Sequence, residues 1–355
     1  MKGGRASGGT ASTRRVSLLL VVAAELAGCC AFSGPRHVGA PNDHFDGARF
    51  VNRDPTRMPE AGEMMRWAAT REKGPWPSAP WLAPGPRPVE RVGRGELRVT
   101  WVGHATVLVQ IDGLNLLTDP IWSERATPVD GVGPSRANPA GIRFEDLPPI
   151  DAVLVSHDHY DHLDMPTLLR LGERHHPRFV VGLGNRELLE DEGLERVTEL
   201  DWWDRLELGR GAAVSMVPAQ HFSMRGLCDR DATLWGGYVL TTRAGSVYFA
   251  GDTGAGTHFA AIRERFGPPR LALLPIGAYQ PRWVMEAMHM GPADAVEAHR
   301  VLAARTSVAV HFDTFPLADD GHGDAPAELA AVRARTGTAA DSFLVPQLGF
   351  ALDLP

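Results

Sequence analysis

From Leu97 onward, short apolar runs alternate with longer amphipathic stretches. Leu97–Ile111, Ala152–Val155, Phe179–Gly182, Ala213–Val217, Tyr238–Thr242, Ser246–Ala250, Leu271–Leu274, Ser307–His311 and Phe343–Leu352 read as strands. Between them Pro166–Arg174, Asn185–Glu192, Phe259–Phe266, Pro292–Ala304 and Ala325–Arg335 carry apolar residues at helical spacing, and Pro292 sits where a first helical turn tolerates proline. The alternation predicts an α/β domain over residues 97–355. Ahead of it, the stretch from Phe32 to about Gly95 is rich in Pro, Gly and Arg, and Gly74-Pro75-Trp76-Pro77-Ser78-Ala79-Pro80-Trp81 cannot continue a helix or a central strand. Residues 29–96 therefore predict a tether that becomes an extended wrap, its tryptophans docking on the domain or touching lipid.

The chemistry sits at the strand tips. Ser156-His157-Asp158-His159-Tyr160-Asp161-His162 directly follows Ala152–Val155. Neutral imidazole suits zinc, iron or manganese, and aspartate oxygen can join it, whereas a packed core has no use for so many adjacent polar rings. A polar surface turn would explain this stretch alone. It does not explain four more apolar runs that end the same way: Val214–Val217 before His221, Val247–Ala250 before Asp252, Val308–Val310 before His311, and Leu116-Leu117-Thr118 before Asp119.

This ordered set resembles the metallo-β-lactamase superfamily, whose HxHxDH motif is met by His157, His159, Asp161 and His162. Trp101-Val102-Gly103-His104-Ala105-Thr106, Thr118-Asp119-Pro120-Ile121-Trp122-Ser123, Pro218-Ala219-Gln220-His221, Pro275-Ile276-Gly277-Ala278-Tyr279, Pro281-Arg282-Trp283 with His289, and His311-Phe312-Asp313-Thr314-Phe315 resemble one branch of it, the N-acylphosphatidylethanolamine-hydrolysing phospholipase D family. The resemblance implies an αββα sandwich holding two zinc ions. His157, His159 and His221 fall on one ion, Asp161, His162 and His311 on the other, and Asp252 bridges them. Two cations roughly 3.5–4 Å apart can hold a shared hydroxide as nucleophile and clamp a phosphodiester during in-line displacement. Asp119 is the expected acceptor orienting a ligating imidazole, and His104 is either a second such group or a structural residue at the Gly103 turn. Asp161, Asp252 and His289 are the catalytic candidates, with His289 a general acid or a phosphate contact at the mouth. The expected substrate is an N-acylphosphatidylethanolamine-like phospholipid. The alternatives are a lactone, amide or β-lactam on the same site, because one fold hosts many hydrolyses, or a non-catalytic envelope lipoprotein that uses the fold to bind. With no cysteine among the ligand positions, iron or manganese can replace zinc.

Composition narrows the setting. The formal net charge is −7, and Lys2 and Lys73 are the only lysines, which argues against a nucleic-acid-binding surface. Lys2, Arg5, Arg14 and Arg15 precede the apolar Leu18-Leu19-Leu20-Val21-Val22-Ala23-Ala24, far short of the roughly 20 residues a spanning helix needs. With Leu26-Ala27-Gly28-Cys29 following, residues 1–28 resemble a bacterial lipoprotein signal, which implies lipidation of Cys29 and attachment on the periplasmic side of the cell envelope. If the signal is not functional, the enzyme stays in the cytoplasm. Cys29 adjoins Cys30 and only Cys228 remains, so no disulfide framework is expected.

Overall fold

The computed structural model describes residues 1, 30, 32–129 and 131–355. The signal-peptide expectation for residues 1–28 and the lipidation expectation for Cys29 lie outside them. Strands β1 (Leu97–Gly103), β2 (Thr106–Ile111), β3 (Leu114–Thr118), β4 (Ala152–Leu154), β5 (Arg178–Gly182), β6 (Val197–Leu200) and β14 (Ala351–Leu354) form one sheet in the order β14-β1-β2-β3-β4-β5-β6. The second sheet contains β7 (Arg205–Gly209), β8 (Ala212–Val217), β9 (Gly237–Thr242), β10 (Gly245–Phe249), β11 (Leu271–Pro275), β12 (Thr306–Val310) and β13 (Phe343–Leu344), in the order β13-β12-β11-β10-β9-β8-β7. The helices are α1 (Ala61–Thr70), α2 (Met165–His175), α3 (Arg186–Asp191), α4 (His258–Phe266), α5 (Arg282–Met285), α6 (Pro292–Leu302) and α7 (Asp324–Thr336). This is the metallo-β-lactamase sandwich, two mixed sheets face to face with helices outside.

The period of two decides which side chain enters which layer. In β2, β3 and β4, Val107, Val109, Leu116 and Leu154 join the large cluster that includes Tyr238, Leu240 and Val308 of the other sheet. Their alternates Leu108, Leu117 and Val153 pack outward with Leu168 and Leu171 of α2. Both faces are covered, so these strands read as continuous apolar runs.

Two expected strands divide. The run 97–111 breaks at His104 and Ala105 into the antiparallel pair β1 and β2, with His104 at φ 55°. The run 343–352 splits into β13 and β14, which lie in different sheets. The N-terminal segment is more structured than a simple extended wrap. It contains α1, whose Trp67 Nε1–H donates to Asp319 Oδ2 at 2.7 Å, while Trp76 Nε1–H donates to Asp320 O at 3.0 Å. Cys30 and Cys228 form a disulfide with Cα atoms 5.3 Å apart, an ordinary span for such a bridge. That corrects the expectation of none: adjacent cysteines could not build a framework, but the fold carries Cys228 to Cys30 across 198 residues.

His44 shows how the wrap is fastened. Its Nε2 lies 2.7 Å from Asp201 Oδ1, its Nδ1 2.6 Å from Asp43 Oδ1, and its ring stacks on Trp202 at 4.4 Å. Burial works against the imidazolium, yet the hydrogen bonds to Asp201 and Asp43 outweigh it and raise the pKa above 6.5. A raised folded-state value contributes stability that is fully present below pH 6.5 and lost as pH rises through the folded value. The melting temperature of wild type is therefore expected to fall more steeply above pH 6.5 than that of His44→Gln. Parallel curves would remove His44 from the account.

Candidate metal centre

One edge of the sandwich collects the chemistry because, within each sheet, the strands that carry it run parallel to one another. β1 is parallel to β3 and β4 in the first sheet, and β8 to β10 and β12 in the second, as the pairings require. Their C-terminal ends deliver His104, Asp119, His157, His221, Asp252 and His311 to that edge. His311 N–H donates to His104 O at 2.9 Å, joining the two sheets there. His104, Asp119 and His311 hold φ of 55°, 32° and 57°, a region non-glycine residues seldom occupy and one that clusters at functional sites. Gly251, just before Asp252, has no room for a side chain: a Cβ there would meet Ser156 Cβ at 2.6 Å.

The ligand-type atoms fall into two groups. In the first, His157 Nε2 lies 2.8 Å from His159 Nδ1, which lies 3.3 Å from His221 Nε2. In the second, Asp161 Oδ2 lies 3.2 Å from His162 Nε2 and 3.6 Å from His311 Nε2. Asp252 Oδ2 stands between them, 3.1 Å from both His162 Nε2 and His311 Nε2 and 4.0 Å from His221 Nε2. His289 Nδ1 is 3.8 Å from the same oxygen. Thus every metal candidate named from the sequence arrives at one place, and His289 with them.

The donor chemistry fits divalent cations. Buried His162 Nε2, His311 Nε2, Asp252 Oδ1 and His289 Nδ1 have no hydrogen-bond partner among the described residues, a costly state that bound ions would relieve. Burial holds the His157 and His221 pKa values well below 6.5 and that of His159 at about 4, leaving neutral imidazoles ready to ligate. In His162 and His311 burial also opposes charge, but Asp252 and its neighbours prevail, raising the former well above 6.5 and the latter to about 9. Asp161 and Asp252 sit well below the usual carboxylate value because His162 and the surrounding imidazoles overcome the burial penalty.

The surrounding contacts orient the ligand-type groups. Asp119 is completely buried; its Oδ2 lies 2.6 Å from His162 Nδ1 and accepts Ser156 Oγ–H at 2.6 Å, while Oδ1 accepts Ser156 N–H at 2.7 Å. His104 does both things considered for it. It occupies the turn after Gly103, with its N–H donating to Thr314 Oγ1, and its Nε2 reaches Asp161 Oδ2 at 2.8 Å. Three contributors were not named from the sequence. Ser156 Oγ contacts His157 Nδ1 at 2.9 Å, Met288 O accepts His221 Nδ1–H at 2.9 Å, and Asn52 in the wrap bonds both backbone groups of His221 at 2.8 and 3.0 Å. Ser156 adjoins the motif and was open to notice; the others depend on approaches across long stretches of chain.

Comparison with known proteins agrees with this geometry. A "Beta-lactamase superfamily domain" model matches residues 114–312. The chain is 40% identical over 231 residues to an N-acyl-phosphatidylethanolamine-hydrolyzing phospholipase D of Caenorhabditis elegans, covering 62% of this chain and 65% of that protein's length. It is 33% identical to a metal-dependent hydrolase of Methanopyrus kandleri over 62% of this chain and 86% of the relative. Among solved structures, a metallo hydrolase from Ignicoccus hospitalis superposes with a TM-score of 0.56 at 23% identity, over 73% of this chain and 99% of that one, a likeness of fold. These relatives set aside a purely binding role, and the chain is a metal-dependent hydrolase belonging to the metallo-β-lactamase superfamily.

Proposed function

We propose that the chain is a dinuclear zinc phosphodiesterase of the phospholipase D type, acting on N-acylphosphatidylethanolamine-like phospholipids. The observation that carries this reading is the Asp252 carboxylate standing between two ligand groups, 3.1 Å from His162 and His311 and 4.0 Å from His221. The name of the 40%-identical nematode relative supplies the substrate class. His157, His159 and His221 would hold one ion, Asp161, His162 and His311 the other, with Asp252 shared. Bound there, a cation pair supplies Lewis-acid stabilisation of a phosphodiester and a nucleophile at neutral pH. The nitrogen and oxygen donors also admit iron or manganese.

The chain's own residues perform the remaining work. Asp119 fixes the His162 ring and His104 braces Asp161, so neither ligand swings when substrate enters. Burial pushes the His289 pKa down to about 4, leaving a neutral imidazole near pH 7. Its side chain retains some exposure, and its Nδ1 has no hydrogen-bond partner among the described residues. Such a ring can donate one N–H to a phosphoryl oxygen or to the departing alkoxide. The proposed setting is the bacterial envelope, with Cys29 as the lipidated residue.

Purified zinc-loaded protein should turn over N-acylphosphatidylethanolamine in mixed micelles faster than a lactone, an amide or a β-lactam. His289→Ala should lower kcat by about 10²–10³-fold at unchanged metal content, the range typical of losing one positioned hydrogen-bond donor to developing charge. Faster turnover of a lactone or β-lactam would replace the phosphodiesterase reading.

A further inference from the structure

The Cys30–Cys228 bridge is remote from hydrolysis but not from the loop bordering the centre. Cys30 and residues 32–37 lie along residues 222–233, the segment following His221. Cys228 N–H donates to Ser33 Oγ at 3.3 Å, Gly34 N–H to Asp229 Oδ2 at 2.7 Å and His37 N–H to Ala232 O at 2.9 Å. This loop reaches back to the ligand-bearing turn. Arg225 Nη1–H donates to Asp158 O at 2.7 Å, its guanidinium lies 4.0 Å over the Tyr160 ring, and Phe222 meets the His159 ring edge-on at 4.5 Å. One covalent bond and one short loop therefore separate Cys30 from the metal centre.

Two large apolar side chains flank the bridge in sequence and face solvent: Phe32 is 52% exposed and Leu227 is 75% exposed. The residue just before Cys30 is Cys29. We propose that the disulfide staples the lipid anchor to the loop beside the metal centre, so that Phe32 and Leu227 rest on a phospholipid bilayer and the site draws its substrate from that surface. This rests on the reading of Cys29 as the lipidated residue.

Geometry favours the staple over a loose tether. Without it, the segment is held only by the hydrogen bonds of Ser33, Gly34, Arg36 and His37 until, among the described residues, His44 and Phe45 bury their side chains. About 15 intervening residues give a root-mean-square reach of roughly 20 Å if flexible. With the bridge, the anchor is one Cα–Cα step, about 3.8 Å, from a residue bonded to the domain. The shorter connection raises the effective concentration of the loop at the membrane and restricts its orientation. Phe32 and Leu227 then have an apolar medium available on the side where the anchor enters.

The test uses full-length lipidated protein reconstituted in phosphatidylcholine–phosphatidylethanolamine vesicles, as wild type, Cys29→Ser, Leu227→Asp and the double variant Cys30→Ser/Cys228→Ser. Amide hydrogen exchange over residues 222–233, with and without vesicles, reads membrane contact independently of turnover. Wild type should exchange at least about threefold more slowly there on vesicles. The double variant should remain in the vesicle fraction, keep its metal and lose most of that slowing. Wild-type protection in the double variant would overturn the staple and leave the anchor reading intact. Cosedimentation of Cys29→Ser at the wild-type level would overturn the anchor reading and the staple with it. Should the double variant unfold, Leu227→Asp decides: it keeps the bridge, and undiminished protection in it would reject the proposed membrane face.

Discussion

Asp252→Asn is expected to lose essentially all turnover while the protein stays folded. Among the described residues no other carboxylate stands within 4.0 Å of both ligand groups, as Asp252 does with 3.1 Å to His162 and His311 and 4.0 Å to His221. Asparagine preserves the shape and one acceptor oxygen but removes the negative charge. Removing one partner from a buried charged set costs about 3–5 kcal/mol, which corresponds to about 10²–10⁴ in rate when the interaction supports the transition state. Metal content should fall below two equivalents in the same variant, because the shared anion is gone. Asp161→Asn should be milder in metal content, since Asp161 serves one group and is partly exposed. Activity assays with elemental analysis on both variants check the ordering. An Asp252→Asn enzyme that keeps two metals and a tenth of wild-type activity would show that the charge of Asp252 is not shared between them.

The site was legible in sequence because its residues are polar exceptions at the ends of apolar runs. Val153 and Leu154 face opposite layers and are both buried, so β4 reads as a strand, and His157 after it has no packing rationale. Position along the chain also survives folding: strands that run parallel in one sheet bring their C-terminal tips to one edge, so the ligand-type residues at the ends of β8, β10 and β12 share an edge, and the turn after β4 meets them there. What escaped follows from weaker patterns. β6 (Val-Thr-Glu-Leu) and β7 (Arg-Leu-Glu-Leu-Gly) are edge strands with polar positions between apolar ones and fall outside the apolar runs that predict strands. α1 buries no residue fully and sits in a stretch rich in proline, so neither a core-facing stripe nor composition marks it; its Glu60–Glu63 capping box was the available signal. The Asn52 grip on His221 and the Cys30–Cys228 bridge join positions 169 and 198 residues apart. Nothing local encodes either pairing.

Removing the metals should cost both activity and stability, and the two losses should return together. The edge gathers Asp119, Asp161 and Asp252 with seven imidazoles in a largely buried space, and several of the ring nitrogens and Asp252 Oδ1 have no hydrogen-bond partner among the described residues. Burial of unsatisfied polar atoms opposes folding, and cations that bind only the folded chain offset this by mass action. At a free metal concentration about 1,000 times the dissociation constant, the gain is about 4 kcal/mol. For a domain of this size that corresponds to roughly 5–15 °C in melting temperature. Chelator-treated protein is therefore expected to melt lower by about that amount and to be inactive, with zinc restoring both. Because protons compete with cations for imidazole nitrogen, and the surrounding carboxylates raise His311 to about 9 and His162 well above 6.5, retention of metal in dialysis should already weaken as pH falls below about 9. Two equivalents regained in step with activity fit a shared site. Full activity at one equivalent, with the second adding only thermal stability, would make one ligand group structural and confine the chemistry to the other.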